Sequence, residues 1–92
     1  MPIRLKPTLR DVLTEADRPL AGMWVSSGSA VVAEICAGSG LDWILIDMEH
    51  GPNGIESVLA QLHAVAAYDI IPAVRVPSAD ATVLKQVLDI GA

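Results

Sequence analysis

The sequence has one cysteine, Cys36, so it can close no internal disulfide. Such sparing use of cysteine fits a reducing cytoplasm, which is the expected location. Positive charge is also scarce: six Lys and Arg stand against eleven Asp and Glu, a net charge of -5. A nucleic-acid partner needs a basic face, so none is expected. An anionic membrane surface is no better matched. No apolar run approaches the ~20 residues of a membrane span. The N-terminus, with Pro2, Arg4, Lys6 and Pro7, lacks the apolar centre of a signal peptide.

Apolar residues, by contrast, are abundant. They make up 52% of the 92 residues, and only 18% are charged. A small domain has much surface for its volume and needs more polar cover than this. The surplus predicts surface meant to be buried by further chain or by other subunits.

The chain is organised around Trp43 to Asn53. Trp43-Ile44-Leu45-Ile46 is an unbroken apolar run, which reads as a strand covered on both faces, as in a parallel sheet. Asp47, Glu49 and His50 follow at once, and Gly51-Pro52-Asn53-Gly54 turns the backbone. On either side the same unit recurs. Residues 1–7 read as an extended lead-in. Thr8 caps a short helix reaching Asp17, and Arg18-Pro19 stops it. Gly22 to Val25 is a first strand. Ser29 caps a helix over Ala30 to Ala37, with Val31, Val32, Ile35 and Cys36 at core spacing and Gly38 or Gly40 at its end. After the central strand, Ile55, Val58, Leu59, Leu62, Val65 and Ala66 form an amphipathic stripe. Ile71 to Val76 is a third strand. Asp80 caps a last helix with Val83, Leu84, Val87 and Leu88 on one face and Gly91 at its end. A helix followed by three strand–helix units implies α/β architecture with parallel strands and right-handed crossovers. A doubly wound sheet and a (β/α)8 barrel look alike over three units.

In either fold the strand C-termini share one rim. Ser26 to Ser29, Asp47 to His50, and Arg75 gather there. The spacing lets the Asp47 carboxylate accept a hydrogen bond from the His50 imidazole, which fixes the tautomer of a general base. The competing reading has Asp47 capping the turn and His50 merely exposed. Glu49 is a metal ligand, a holder of metal-bound water, or a solvated acid. Arg75 suits a carboxylate or phosphate, or braces the rim through Asp47 or Glu49. Ser26 to Ser29 either presents N–H groups to an anion or simply caps the helix. Cys36 reads as core packing and His63 as a boundary residue.

Four segments together carry a family likeness: Gly22-Met23-Trp24, the run from Ala37 to Trp43, Ile46-Asp47-Met48-Glu49-His50-Gly51-Pro52-Asn53, and Val74-Arg75-Val76-Pro77. From about residue 8 onward the chain resembles the HpcH/HpaI aldolases, class II pyruvate aldolases that use a divalent metal. The resemblance implies a (β/α)8 barrel, usually in a hexamer. Residues 1–92 would be an incomplete part of that single domain: its first three βα units, preceded by a short helix. It implies reversible aldol cleavage of a hydroxy-ketoacid to pyruvate and an aldehyde. Asp47 and His50 match the family's acid–base dyad. Arg75 matches the arginine that holds pyruvate and stabilises its enolate, and Trp24 matches a tryptophan near the site. The implied cofactor is Mg2+, Mn2+ or Co2+. Its Glu and Asp ligands would lie on later strands, so no metal ligand is expected in this chain, Glu49 through water excepted. The 92 residues alone are then expected to be inactive. Two rival readings are a non-catalytic βα interaction module and a small domain binding anions through Ser26–Ser29 and Arg75.

Overall fold

The structure, a computed structural model, describes residues 6–92, so most of the lead-in expected over residues 1–7 lies outside the described residues. Helix α1 (Leu9–Glu15) is followed by β1 (Gly22–Val25), α2 (Ala30–Ala37), β2 (Trp43–Asp47), α3 (Ile55–Val65), β3 (Ile71–Arg75) and α4 (Ala81–Asp89). The predicted helix and three strand–helix units are all present. The strands are parallel, in the order β1-β2-β3. No helix among the described residues is long and apolar enough to cross a membrane.

Local chemistry accounts for the boundaries. Thr8 and Asp11 form a reciprocal capping box at α1, each side chain accepting the other's backbone N–H at 3.1 Å. The helix ends at Glu15, two residues short of the expected Asp17. Ser29 Oγ caps α2 through Val32 N–H, and Asp80 caps α4 through Thr82 N–H. Gly38 is the C-cap of α2 at a φ of -87°, and the left-handed residue is Gly40 at +91°. The Lys6 ammonium donates to the carbonyls of Ala66 and Tyr68 at 2.7 and 2.8 Å, where α3 runs out of intrahelical donors.

The pairing register sorts the strand residues onto two faces. Val25, Ile44 and Ile46 point to the helices and are buried with Ala33, Cys36 and Ala37 of α2, Val58, Leu62 and Val65 of α3, and Ile70. Gly22, Trp24, Trp43, Leu45, Asp47, Ile71, Ala73 and Arg75 alternate onto the opposite face. Among the described residues, helices cover one of the two faces of β2 expected to be buried. Ile44 and Ile46 are fully buried, while Trp43 and Leu45 keep some exposure. All the packed helices lie on one side.

Two helix stripes are rotated from their predicted positions. On α2, Val31 and Ile35 are 68% and 66% exposed, and small residues, Ala33 and Ala37, form the contact with Cys36. Small side chains let α2 approach the sheet and α3 closely, so the larger β-branched residues turn outward. On α4 only Val87 is buried, and Leu84 and Leu88 are exposed. These outward residues are the apolar surplus noted in the composition.

Gly22 shows how tightly the inner face is filled. A Cβ there would stand 1.9 Å from Trp43 Cδ2, because the indole lies across the opposing glycine. Gly22→Ala forces the ring to move, and overpacking of this kind costs about 1–3 kcal/mol. A lower urea midpoint with an unchanged slope is the expected result.

Candidate active-site rim

The three loops predicted to converge do so. An added Cβ on Gly51, in the loop after β2, would lie 3.2 Å from the Ser26 backbone and 2.6 Å from Asp47 O. Gly28 takes φ +75° against Pro52, so the first two loops interlock through glycine. Asp47 and Arg75 stand directly opposite in the β2–β3 register.

Arg75 is the centre of the rim. Its Nε donates to Asp47 Oδ1 at 3.0 Å and its Nη2 to Oδ2 at 2.7 Å, a bidentate pair. The guanidinium lies over the Trp24 ring, 4.5 Å from its centroid. It thus reaches from β3 across β2 to β1. Of its five N–H donors, two bind Asp47, and the side chain keeps 32% exposure. The remaining donors make no hydrogen bond among the described residues. Asp47 holds the arginine's proton tightly, so the Arg75 pKa is raised.

The Asp47 carboxylate is almost wholly buried, yet it stays ionised well below the usual carboxylate range. Arg75 is the main cause; burial opposes it, and the N–H groups of Glu49 and His50 assist at 2.9 and 3.2 Å. At the other end of β2, Asp42 accepts from Arg18 Nη1 and Nη2 and from Ala21 N–H, which lowers it from 3.8 to about 2. Both groups bind fewer protons folded than unfolded. Their stabilisation is present above 3.8 and is lost as pH falls toward about 2. Urea midpoints taken from pH 5 down to pH 2 should drop across that window, and Asp42→Asn should flatten the drop.

The expected Asp47–His50 side-chain hydrogen bond is not the one formed. Asp47 Oδ1 accepts from Arg75 Nε and from two backbone N–H groups, including that of His50 itself, and Oδ2 accepts from Arg75 Nη2. The imidazole is 71% exposed, and its Nε2 stands 3.1 Å from Glu49 Oε1. The second Glu49 oxygen is 3.8 Å from Arg75 Nε. Glu49 therefore lies between the imidazole and the arginine, near both.

The described residues do not build a metal cradle. No group of three or more His, Cys, Asp or Glu side chains among them is placed to hold a metal ion. Asp47 is almost wholly buried and paired with Arg75, whereas Glu49 is the more exposed rim carboxylate and the one expected to reach a bound water. In the first loop, Ser27 Oγ accepts from Ser29 N–H and Ser29 Oγ caps α2, so both hydroxyls serve the backbone. Cys36 is buried as expected, its Sγ 3.7 Å from Met23 Sδ, and His63 is exposed rather than at a boundary.

Gly51 and Asn53, read only as turn and motif residues, and Gln61, not singled out at all, also contribute to the rim. Asn53 Nδ2 donates to Asp47 O, and its Oδ1 accepts from Ser57 Oγ and Gln61 Nε2. The available signal was Gln61, a polar residue beside the apolar stripe of α3.

A parallel βα array with polar side chains gathered at the strand C-termini suits a (β/α)8 barrel. The strand order β1-β2-β3 also occurs in doubly wound sheets, so likeness to known proteins decides between them. The chain belongs to the HpcH/HpaI aldolase/citrate lyase family, whose profile matches residues 20–92. It is 58% identical over 76 residues to a 4-hydroxy-2-oxovalerate aldolase of Rhodococcus jostii, covering 82% of this chain and 30% of that protein. It is 47% identical to a hydroxypyruvate/pyruvate aldolase of Deinococcus radiodurans, covering 98% of this chain and 33% of that one. A solved HpcH/HpaI family protein from Burkholderia cenocepacia superposes with a TM-score of 0.83 at 45% identity, covering 91% of this chain and 34% of that one. The three βα units are thus those of a (β/α)8 barrel. The chain spans about a third of the length of the curated relatives it matches.

Proposed function

We propose that this chain supplies the 2-oxoacid-binding corner of a pyruvate aldolase that cleaves a 4-hydroxy-2-oxoacid. The observation that carries this reading is Arg75, fixed by two bonds to Asp47 and stacked on Trp24, with donors left over at the rim. The relatives named as aldolases of hydroxy-oxo acids support the reaction class.

The chemistry follows from charge. A base takes the proton of the C4 hydroxyl, the C3–C4 bond breaks, and C4 leaves as an aldehyde. The bonding pair moves to C2–C3 while negative charge builds on the C2 oxygen. Protonation at C3 then gives pyruvate. Arg75 binds the carboxylate and meets the growing charge on the C2 oxygen. Because Asp47 and Trp24 hold it in place, little reorganisation is needed at that moment. His50 moves the hydroxyl proton through its exposed imidazole, which stands beside Glu49. A divalent ion, on this reading, is held by residues of the remaining strands. The exposed Val31, Ile35, Leu84 and Leu88 support burial against further chain and further copies, as in a homo-oligomer. The acidic charge and single cysteine support a cytoplasmic protein.

The test is pyruvate formation from 4-hydroxy-2-oxovalerate with Mg2+, Mn2+ or Co2+. It is measured on the 92 residues and on the protein carried to the length of its relatives. Activity in the longer protein alone is expected. A well-folded long protein that releases no pyruvate would remove the aldol reading.

A further inference from the structure

We infer that Asn53, held from beneath by Ser57 and Gln61, is a positioning residue for the reactive rim. The inference rests on the aldolase reading for its kinetic consequence, but not for its structural one. The loop from Met48 to Asn53 carries Glu49 and His50 and is tied at both ends to Asp47. At its start, Asp47 Oδ1 accepts the N–H groups of Glu49 and His50. At its end, Asn53 Nδ2 returns to Asp47 O at 2.8 Å. The Asn53 backbone N–H also donates to Gly51 O at 2.8 Å, which tightens the turn. The loop is therefore closed on the last residue of β2 by one side chain from each end.

Asn53 does not hold itself there. Its Oδ1 accepts from Ser57 Oγ at 2.9 Å and from Gln61 Nε2 at 2.7 Å. Gln61 is 0% exposed, on the same buried side of α3 as Val58, Leu62 and Val65. Its Nε2 also donates to Ser57 O at 2.9 Å, and its Oε1 has no partner among the described residues. Burying a primary amide with one atom unsatisfied is unfavourable, and leucine would fit an apolar helix face better. What the amide gives in exchange is a fixed Asn53. The relay runs Gln61, Asn53, Asp47 O, and it sets where Glu49 and His50 stand. Arg75 is anchored separately, through the Asp47 carboxylate and Trp24. Disturbing Asn53 should therefore affect proton transfer more than oxoacid binding.

Asn53→Asp keeps an acceptor for Ser57 and Gln61 but cannot donate to Asp47 O. Gln61→Leu removes the relay's base with little loss of packing. In the long protein, Asn53→Asp should lower kcat roughly a hundredfold, the effect of about an ångström of misplacement, with KM within about twofold. Its pH–rate profile should lose the limb that His50→Gln also removes. Gln61→Leu should lower kcat in the same direction with an unchanged or higher Tm. On the 92-residue chain, the His50 ring resonances should shift or broaden in both variants, with those of His63 unmoved. Unmoved His50 resonances, or kcat falling only in proportion to lost Tm, would overturn the inference. If the unsubstituted long protein releases no pyruvate, the aldolase reading fails, and the resonances alone decide whether Asn53 positions His50.

Discussion

Arg75→Ala in the long protein should lower kcat/KM for pyruvate release by about 10²–10³-fold, the usual effect of removing one donor to a developing oxyanion. Arg75 sits where three strands meet and is the one guanidinium on the inner face of the sheet among the described residues. The alanine variant also strands the buried Asp47 carboxylate without its partner, so some destabilisation is expected with it. Arg75→Lys separates the two effects. Lysine keeps the charge near Asp47 but loses the planar fork and the stacking on Trp24. If the fork matters, the lysine variant should fold well and still lose most of the activity. Wild-type turnover in Arg75→Lys would show that charge alone suffices.

His50→Gln should lower kcat by about 10²–10⁴-fold, the range of a lost proton transfer. It should leave KM nearly unchanged, because the imidazole is not among the groups that hold Arg75. The structure also changes which carboxylate matters to it. Glu49, not Asp47, faces the ring. Glu49→Gln should therefore reproduce part of the His50→Gln defect while leaving the acid stability of the fold intact. Asp47→Asn should do the opposite, weakening both the acid limb of stability and the hold on Arg75.

Much of the layout was legible because periodicity and caps carry it. Thr8, Ser29 and Asp80 each start a helix where expected. The apolar run from Trp43 becomes β2, and Arg75 closes β3. What periodicity could not give was the choice between two plausible faces. On α2 it favoured Val31 and Ile35, but small residues were selected for contact because the helix lies close to its neighbours. Spacing likewise put Asp47 within reach of both His50 and Arg75. The register that sets Asp47 directly opposite Arg75 decides in favour of the arginine, and only three-dimensional pairing reveals it. Gln61 was hidden for a related reason, since a glutamine beside an apolar stripe looks like surface until its partner Asn53 is placed. The family likeness added the barrel, which three βα units alone leave open, and it supports the proposed reaction class.

The central claim is that Arg75 stabilises a pyruvate enolate, and hydrogen exchange at the pyruvate methyl tests it most directly. Cleavage passes through the enolate and ends with protonation at C3, so the reverse step removes a C3 proton from pyruvate alone. In D2O, with a divalent metal and no aldehyde, proton NMR of the long protein should show loss of the methyl signal. Arg75→Ala should suppress that loss at least as strongly as it suppresses pyruvate release. Exchange that continues undiminished in Arg75→Ala would contradict the account, because the enolate would then form without the arginine this rim is built to hold.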